Sequence, residues 1–215
     1  MILGVTGLIG SGKDTIADYL VTEHGFKRVS FAASLKDAVS AVFGWDRDML
    51  EGTSRQSRVW REEVDTWWAE RLNMPQLTPR WVLQHWGTDV LRNHFHTDIW
   101  VASVENKLRQ TKDDIVITDC RFKNEVDAIK NAGGTTCRVF RGENPDWYQA
   151  AIDFNKGPNG NSKWSLSKLQ LDKAKVHASE YSSVGLNYDH YILNDGTIDY
   201  LQEQVNQLLN PHDAS

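Results

Sequence analysis

The sequence predicts an α/β fold, a five-stranded parallel sheet flanked by helices with a helical insertion between strands 2 and 3. Three observations carry that expectation. Short apolar runs bounded by turn residues recur at Ile2–Thr6, Phe26–Phe31, Asp113–Asp119, Thr135–Phe140 and His190–Leu193. Helix-patterned segments separate them, as parallel pairing requires. From Trp45 to about Arg109 there is helix and loop patterning but no strand signal.

Each element has its own local reason. Ile2–Thr6 (ILGVT) is apolar throughout, which suits a strand covered on both faces. A glycine loop follows, then a helix over Lys13–His24 with Ile16, Ala17, Leu20 and Val21 on one face and Gly25 as its terminator. Phe26–Phe31 alternates as a strand does, and SLKD (Ser34–Asp37) reads as a capping box opening the next helix. Within the insertion, Ser57–Leu72 places Val64, Trp67, Trp68 and Leu72 at helical spacing. Thr78-Pro79 is an N-cap with proline at the first helical position, and Asp98 is a further cap candidate. Asp113–Asp119 ends a buried strand in acid. Asn124–Ala132 is a helix closed by Gly133-Gly134. Asn155–Ser165 is rich in loop formers. Ile198, Leu201, Val205 and Leu208 step by three and four, the stripe of an amphipathic C-terminal helix.

The bulk numbers narrow the function. The 215 residues suit a single domain, 1–215, carrying an inserted helical lobe over about 45–111. A net charge of −5 gives no broad attraction for nucleic acid or anionic membrane, so neither is expected as a partner. No apolar run reaches spanning length, and the first strand leaves no room for a leader, which predicts a cytoplasmic protein. Cys120 and Cys137 have no metal or redox spacing and read as reduced, partly buried thiols. Seven of the nine tryptophans lie from Trp45 to Trp100, as the core of a helical lobe or as stacking surfaces for a base.

The chemistry concentrates in two places. GLIGSGKDT (Gly7–Thr15) fits G-x-x-x-x-G-K-[ST] except at its last position, where Asp14 stands. Its context is right, with a strand before and a helix after. Gly10, Ser11, Gly12, Lys13, Asp14 and Thr15 would wrap phosphate oxygens in backbone N–H groups, helped by the helix N-terminus and the lysine charge. Asp14 has two readings: it binds a Mg²⁺ ion, directly or, as favoured here, through water, or Thr15 meets a phosphate and the metal is held mainly by nucleotide and water. The second place is ITDCRFKNE (Ile117–Glu125). Asp119, an acid at a strand's carboxyl end, is a candidate for holding the same Mg²⁺ or its water, and Arg121 offers a planar fork for phosphate. Glu125 reads as a first-turn helix acid. Lys36, Arg58, Arg61, Arg80, Arg92, Arg138 and Arg141 are further cations that can complete an anion site. His85, His94 and His96 do not read as a metal site, because a spacing of two places His94 and His96 on different helix faces.

The segments GSGKDT, SLKDAV, TPRWVLQHWGTDVLRN, ITDCRFKNEVDAIKNAGG and HASE, in that order, resemble the deoxynucleoside monophosphate kinases of tailed bacteriophages. The likeness runs from Gly7 to about Leu209, and GKDT is that family's own usage. The resemblance implies a P-loop NTPase fold and transfer of the γ-phosphoryl of ATP, with Mg²⁺, to a deoxynucleoside 5′-monophosphate. It implies that Gly10–Thr15 takes the ATP phosphates, that Lys36 approaches the acceptor with Phe43 near its base, and that Arg121 lies between donor and acceptor. His177, Ser179 and Glu180 of HASE would sit near the acceptor sugar or base, and Trp147 would stack on the base. A lid or acceptor segment over about 141–182 and a homodimer are further expectations. Competing readings are a kinase of a coenzyme precursor or sugar acid, a nucleotide switch, and an inactive relative. The switch lacks its N-K-x-D signature, since Asn155-Lys156 continues into Gly-Pro.

Overall fold

A computed structural model describes residues 1–159 and 163–210. The chain divides into two compact units, residues 1–30 with 110–215, and residues 31–109.

The first unit holds the sheet. Strands β1 (Ile2–Thr6), β2 (Lys27–Val29), β3 (Ile115–Ile117), β4 (Thr135–Phe140) and β5 (His190–Leu193) run parallel in the order β2-β3-β1-β4-β5. β1 is therefore central, with Gly4 opposite Ile117 on one side and Thr6 opposite Arg138 on the other. Its apolar composition follows from that place, since Leu3 and Val5 are buried in the core with Val116, Cys137, Val139 and Ile192. Helix α1 (Lys13–His24) and the C-terminal helix (Ile198–Leu209) cover that face through Ile16, Ala17, Leu20, Leu201, Val205 and Leu208. Val21, expected on the same face, is exposed: the buried stripe of α1 is Ile16, Ala17 and Leu20 alone.

β2 and β3 are shorter than the sequence predicts, three residues each. Phe26 and Phe31 are buried beyond the ends of β2 and do not extend the ladder. β5 closes the other edge, where an unpaired backbone would invite further strands. Gln204 blunts it: Leu193 N donates to Gln204 Oε1 at 3.2 Å, and Gln204 Nε2 donates back to Leu193 O at 3.0 Å.

The second unit is helical, with α2 (Ala33–Phe43), α3 (Arg47–Glu51), α4 (Arg55–Trp60), α5 (Thr66–Leu72), α6 (Pro79–Gln84), a π-helical run over His85–Phe95, and α7 (Ile99–Leu108). Two expectations fail here. SLKD is not a capping box: α2 starts one residue earlier, and the Ser34 hydroxyl meets Ser103 Oγ at 2.8 Å. Ser57–Leu72 is not one helix, because Asp65 caps α5 by accepting from Trp68 N at 3.1 Å and also accepts from Trp45 Nε1 at 2.7 Å. With α4 stopped at Trp60, Val64, Trp67 and Leu72 face solvent. Thr78 caps α6 as expected, whereas Asp98 precedes α7 without a side-chain cap. Three tryptophans gather about one buried ring of this unit: that of Phe43 lies 4.4 Å from Trp45, 4.9 Å from Trp68 and 5.3 Å from Trp86. Indole N–H groups find acceptors as burial demands, Trp68 on Phe43 O at 3.1 Å and Trp100 on Gly87 O at 2.8 Å.

In the first unit, α8 (Lys123–Asn131), α9 (Tyr148–Asn155), α10 (Trp164–Lys173), α11 (Ala178–Tyr181) and α12 (Ile198–Leu209) complete the chain. The loop-forming stretch from Asn155 to Ser165 joins α9 to α10, and its residues 160–162 lie outside the described ones. Among the described residues no helix is long and apolar enough to cross a membrane.

Both cysteines are buried more deeply than expected. Burial pushes the Cys137 thiol up to about 12 and the Cys120 thiol well above its ordinary value, with Asp119 and Glu125 adding to the latter. A thiol without thiolate character is a poor nucleophile. Neither should react with an aromatic disulfide reagent at pH 8 in native protein, and both should react once urea unfolds it; absorbance of the released thiolate checks this.

Candidate active site

β1 leaves the middle of the sheet at Thr6 and turns at once into the glycine loop. Its neighbours β3 and β4 lie on opposite sides, so the crevice at their carboxyl ends is the topological switch point where parallel sheets bind ligands. Two loop positions need glycine. A Cβ on Gly7 would lie 2.5 Å from Ser11 Oγ and 2.6 Å from Val139 O. Gly12 sits in the left-handed region at φ +101°, and a Cβ there would lie 2.3 Å from Asn194 Nδ2. The curl is closed by Ser11 N donating to Leu8 O at 3.1 Å, and Lys13 Nζ donates to the same carbonyl at 2.9 Å. Ser11 Oγ is buried with no hydrogen-bond partner among the described residues.

Asn194, directly after β5, fixes this loop from outside. Its Nδ2 donates to Ser11 O at 2.9 Å, while its own N–H donates to Phe140 O at 2.8 Å. Sequence reasoning missed it, since no motif links residues 183 positions apart; the one available signal was a polar Asn-Asp-Gly run at the carboxyl end of a strand.

The cations converge on the loop. Burial lowers the pKa of Lys13 most; Asp14 and Glu180 act against this, and Arg121 and Arg138 add to it. A partly buried ammonium with two guanidinium neighbours is a site that gains from an anion. Arg121 follows β3 and donates from Nη1 to Glu180 Oε1 at 3.1 Å and to Ser179 Oγ at 3.5 Å. Its backbone is held independently: Glu125, fully buried, accepts from Arg121 N at 2.7 Å and Phe122 N at 3.1 Å. Glu125 is thus a first-turn acid whose carboxylate fastens the turn before its helix. HASE serves locally as well, since His177 caps α11 by accepting from Ser179 N at 3.3 Å.

Asp119 lies two residues past Ile117, the last residue of β3, and accepts from Ser30 Oγ at 2.7 Å. Asp14 is directed elsewhere. Its side chain is 80% exposed, and Arg28 Nη2 on β2 donates to its carboxylate at 3.1 Å and to its carbonyl at 3.3 Å. Thr15, next in the first turn of α1, is exposed.

Beside the loop lies a cavity of about 450 Å³ lined by Gly10, Ser11, Arg138, Phe140, Arg141, Trp147 and Glu180 among others. Arg138 is buried; it donates from Nη1 to Ser183 O at 3.0 Å and lies against the rings of Phe140, Tyr148 and Tyr188 at 5.3, 5.7 and 5.7 Å. Arg141 reaches Gly10 O at 3.5 Å.

The other candidates lie in the helical unit and are engaged within it. Lys36 Nζ meets Glu51 Oε2 at 2.5 Å, and Arg47 meets the same carboxylate. Burial raises the Glu51 pKa, but these two partners outweigh it and hold the group low. Arg61 packs on the Gly52 backbone and donates to Leu50 O at 3.4 Å; Arg80 pairs with Glu62 at 3.1 Å. Arg58 donates to Thr53 O at 2.8 Å, and buried Arg92 donates to Thr97 O at 3.2 Å. Phe43, expected near a base, is buried in the aromatic interior. Among the described residues no group of His, Cys, Asp and Glu side chains can hold a metal by itself, and His85 is turned to Asp89 at 3.1 Å.

The family model for deoxynucleotide monophosphate kinase matches residues 57–151. A provisionally named deoxynucleotide monophosphate kinase of Acanthamoeba polyphaga mimivirus is 32% identical over 155 residues, 66% of this chain and 74% of the relative. The chain belongs to the deoxynucleotide monophosphate kinase family. The family match begins well after the glycine loop, so the loop is an observation separate from that match. Solved structures with related topology include shikimate kinase from Aquifex aeolicus (TM-score 0.45, 12% identity, 100% of both chains) and dephospho-CoA kinase from Campylobacter jejuni (0.44, 17%, covering 99% of this chain and 97% of that one). Both scores are below 0.5, and the P-loop fold rests here on the sheet order and the loop.

The Glu125 anchor has a measurable consequence. Glu125→Ala leaves two backbone donors without their carboxylate and should destabilise the protein by about 3 kcal/mol, read from urea denaturation.

Proposed function

We propose that this kinase transfers the γ-phosphoryl group of ATP to a deoxynucleoside 5′-monophosphate, giving the diphosphate and ADP. The observation that carries this reading is one cavity beside the glycine loop at the sheet's switch point: Arg138 lines it, Arg121 bonds Glu180 on its wall, and Lys13 bonds Leu8 O on its wall. Family membership supports a nucleotide acceptor. The sheet order and loop alone would equally suit a coenzyme-precursor or sugar-acid kinase.

In the proposed reaction an oxygen of the acceptor phosphate attacks the γ-phosphorus, and the bond to the β–γ bridging oxygen breaks. The acceptor is already an anion at neutral pH, so no general base is needed, and catalysis is positioning plus charge neutralisation. The loop amides and Lys13 hold the donor phosphates. Arg121, released from Glu180, takes the transferring group. Trp147, on the cavity wall, offers a face for the acceptor base, while His177, Ser179 and Glu180 stand around its sugar. Lys36, Arg61, Arg80 and Arg92 are proposed acceptor-side cations of the helical unit, with 141–182 as the segment that closes over the substrates.

The donor set suits Mg²⁺, since Asp119 and Ser30 present hard oxygens at the carboxyl ends of β3 and β2. Mg²⁺ bound with ATP would neutralise charge on the β- and γ-phosphate oxygens. Asp14, paired with Arg28, would contribute through water. The motif likeness to tailed-phage enzymes would place the reaction in the cytoplasm of an infected bacterium, with the enzyme as a homodimer.

The test is ADP release from ATP·Mg²⁺ without acceptor, then with dAMP, dGMP, dCMP, dTMP and the ribonucleotides. Release that depends on one or more deoxynucleotides is expected. Release independent of acceptor, or none, contradicts the proposal.

A further inference from the structure

The phosphate-loop pattern calls for a Ser or Thr hydroxyl after the lysine, because that hydroxyl and the acid at a neighbouring strand end together hold the nucleotide's metal. In this chain the position is Asp14, whose carboxylate is mostly exposed and bound to Arg28 on β2. The acid has nevertheless kept a hydroxyl partner. Ser30 Oγ, one residue past β2, donates to Asp119 Oδ2 at 2.7 Å. β2 pairs with β3, with Val29 opposite Ile117, so Ser30 and Asp119 emerge from adjacent strands at the same end of the sheet. β3 in turn pairs with β1, which carries the loop.

We infer that Ser30 supplies the hydroxyl of the nucleotide-metal site, with Asp119, in place of the residue after Lys13. This deepens the kinase reading and rests on it. The chemistry fits a small hard cation. Mg²⁺ keeps several waters and takes one or two protein oxygens beside the substrate phosphates, and a hydroxyl–carboxylate pair at 2.7 Å presents such oxygens already oriented. Asp14 is engaged differently: Arg28 bonds both its carbonyl and its carboxylate, and that carboxylate is mostly exposed.

The measurement is calorimetric binding of the β,γ-imido analogue of ATP, with and without Mg²⁺, to wild-type protein and to Ser30→Ala, Ser30→Cys and Asp14→Ala variants. Circular dichroism and urea denaturation confirm folding of each. For wild type, Mg²⁺ should strengthen binding about ten- to hundredfold. Ser30→Ala should lose most of that gain while its metal-free affinity stays near wild type. Ser30→Cys should regain it with Cd²⁺, a soft cation suited to sulfur, and not with Mg²⁺. A full Mg²⁺ gain in Ser30→Ala would overturn the inference. So would loss of the gain in Asp14→Ala alone. Equal loss of metal-free and metal-bound affinity in Ser30→Ala would make the hydroxyl a support of the fold and likewise overturn it. Wild-type protein that bound no nucleotide would instead contradict the kinase reading beneath it.

Discussion

Parallel pairing of β1 with β3 on one side and β4 on the other is the constraint from which the rest of the site follows. Neither neighbour is adjacent in sequence, so the chain must leave β1 through a helix and return twice. That places the glycine loop, Asp119 and the end of β4 together at the carboxyl end of the sheet. It also brings β5 beside β4, which puts Asn194 against the loop backbone. The loop is thus held by residues from the two ends of the chain. The burial of Leu3, Val5, Val116 and Val139 stabilises the pairing that does this.

On this frame the charged groups are arranged in two tiers. Buried groups set geometry: Glu125 holds the backbone of Arg121, and Arg138 packs among three rings. Partly exposed groups keep exchangeable partners. Arg121 is half exposed and rests on Glu180, and a phosphate can replace that carboxylate with a bidentate contact of its own. Lys13 likewise rests on a carbonyl of its own loop. Such partners occupy cations that would otherwise be desolvated without compensation.

How far this was legible in the sequence depended on which force wrote the pattern. β1 and β4, and Leu201, Val205 and Leu208 of the C-terminal helix, were readable because burial dictates them; in β5 only Ile192 is buried, and Ile198, read into the helix stripe, is exposed. The glycine loop was readable because its backbone tolerates no side chain at Gly7 or Gly12. β2 and β3 were overextended, since Phe26, Phe31 and the acids around Ile115–Ile117 continue the pattern without joining the ladder. The break between Trp60 and Thr66 was hidden because its cause, Asp65 bonding Trp45 Nε1, is tertiary. α9 and α10 were missed because their apolar residues make a small satellite cluster without a long stripe. Asp119, Arg121, Glu125 and HASE were named from motifs; Ser30, which donates to Asp119, and Asn194, which holds the glycine loop, were not, because each acts through a hydrogen bond that spacing cannot report.

The central claim is that Arg121 is positioned by the fold to act on the transferring phosphoryl group. Steady-state turnover of Arg121→Ala at saturating ATP and acceptor, beside calorimetric affinity for each, tests it most directly. The account predicts a loss of about 10³-fold or more in turnover, with folding and ATP affinity close to wild type. Turnover within a few-fold of wild type in folded protein would contradict it.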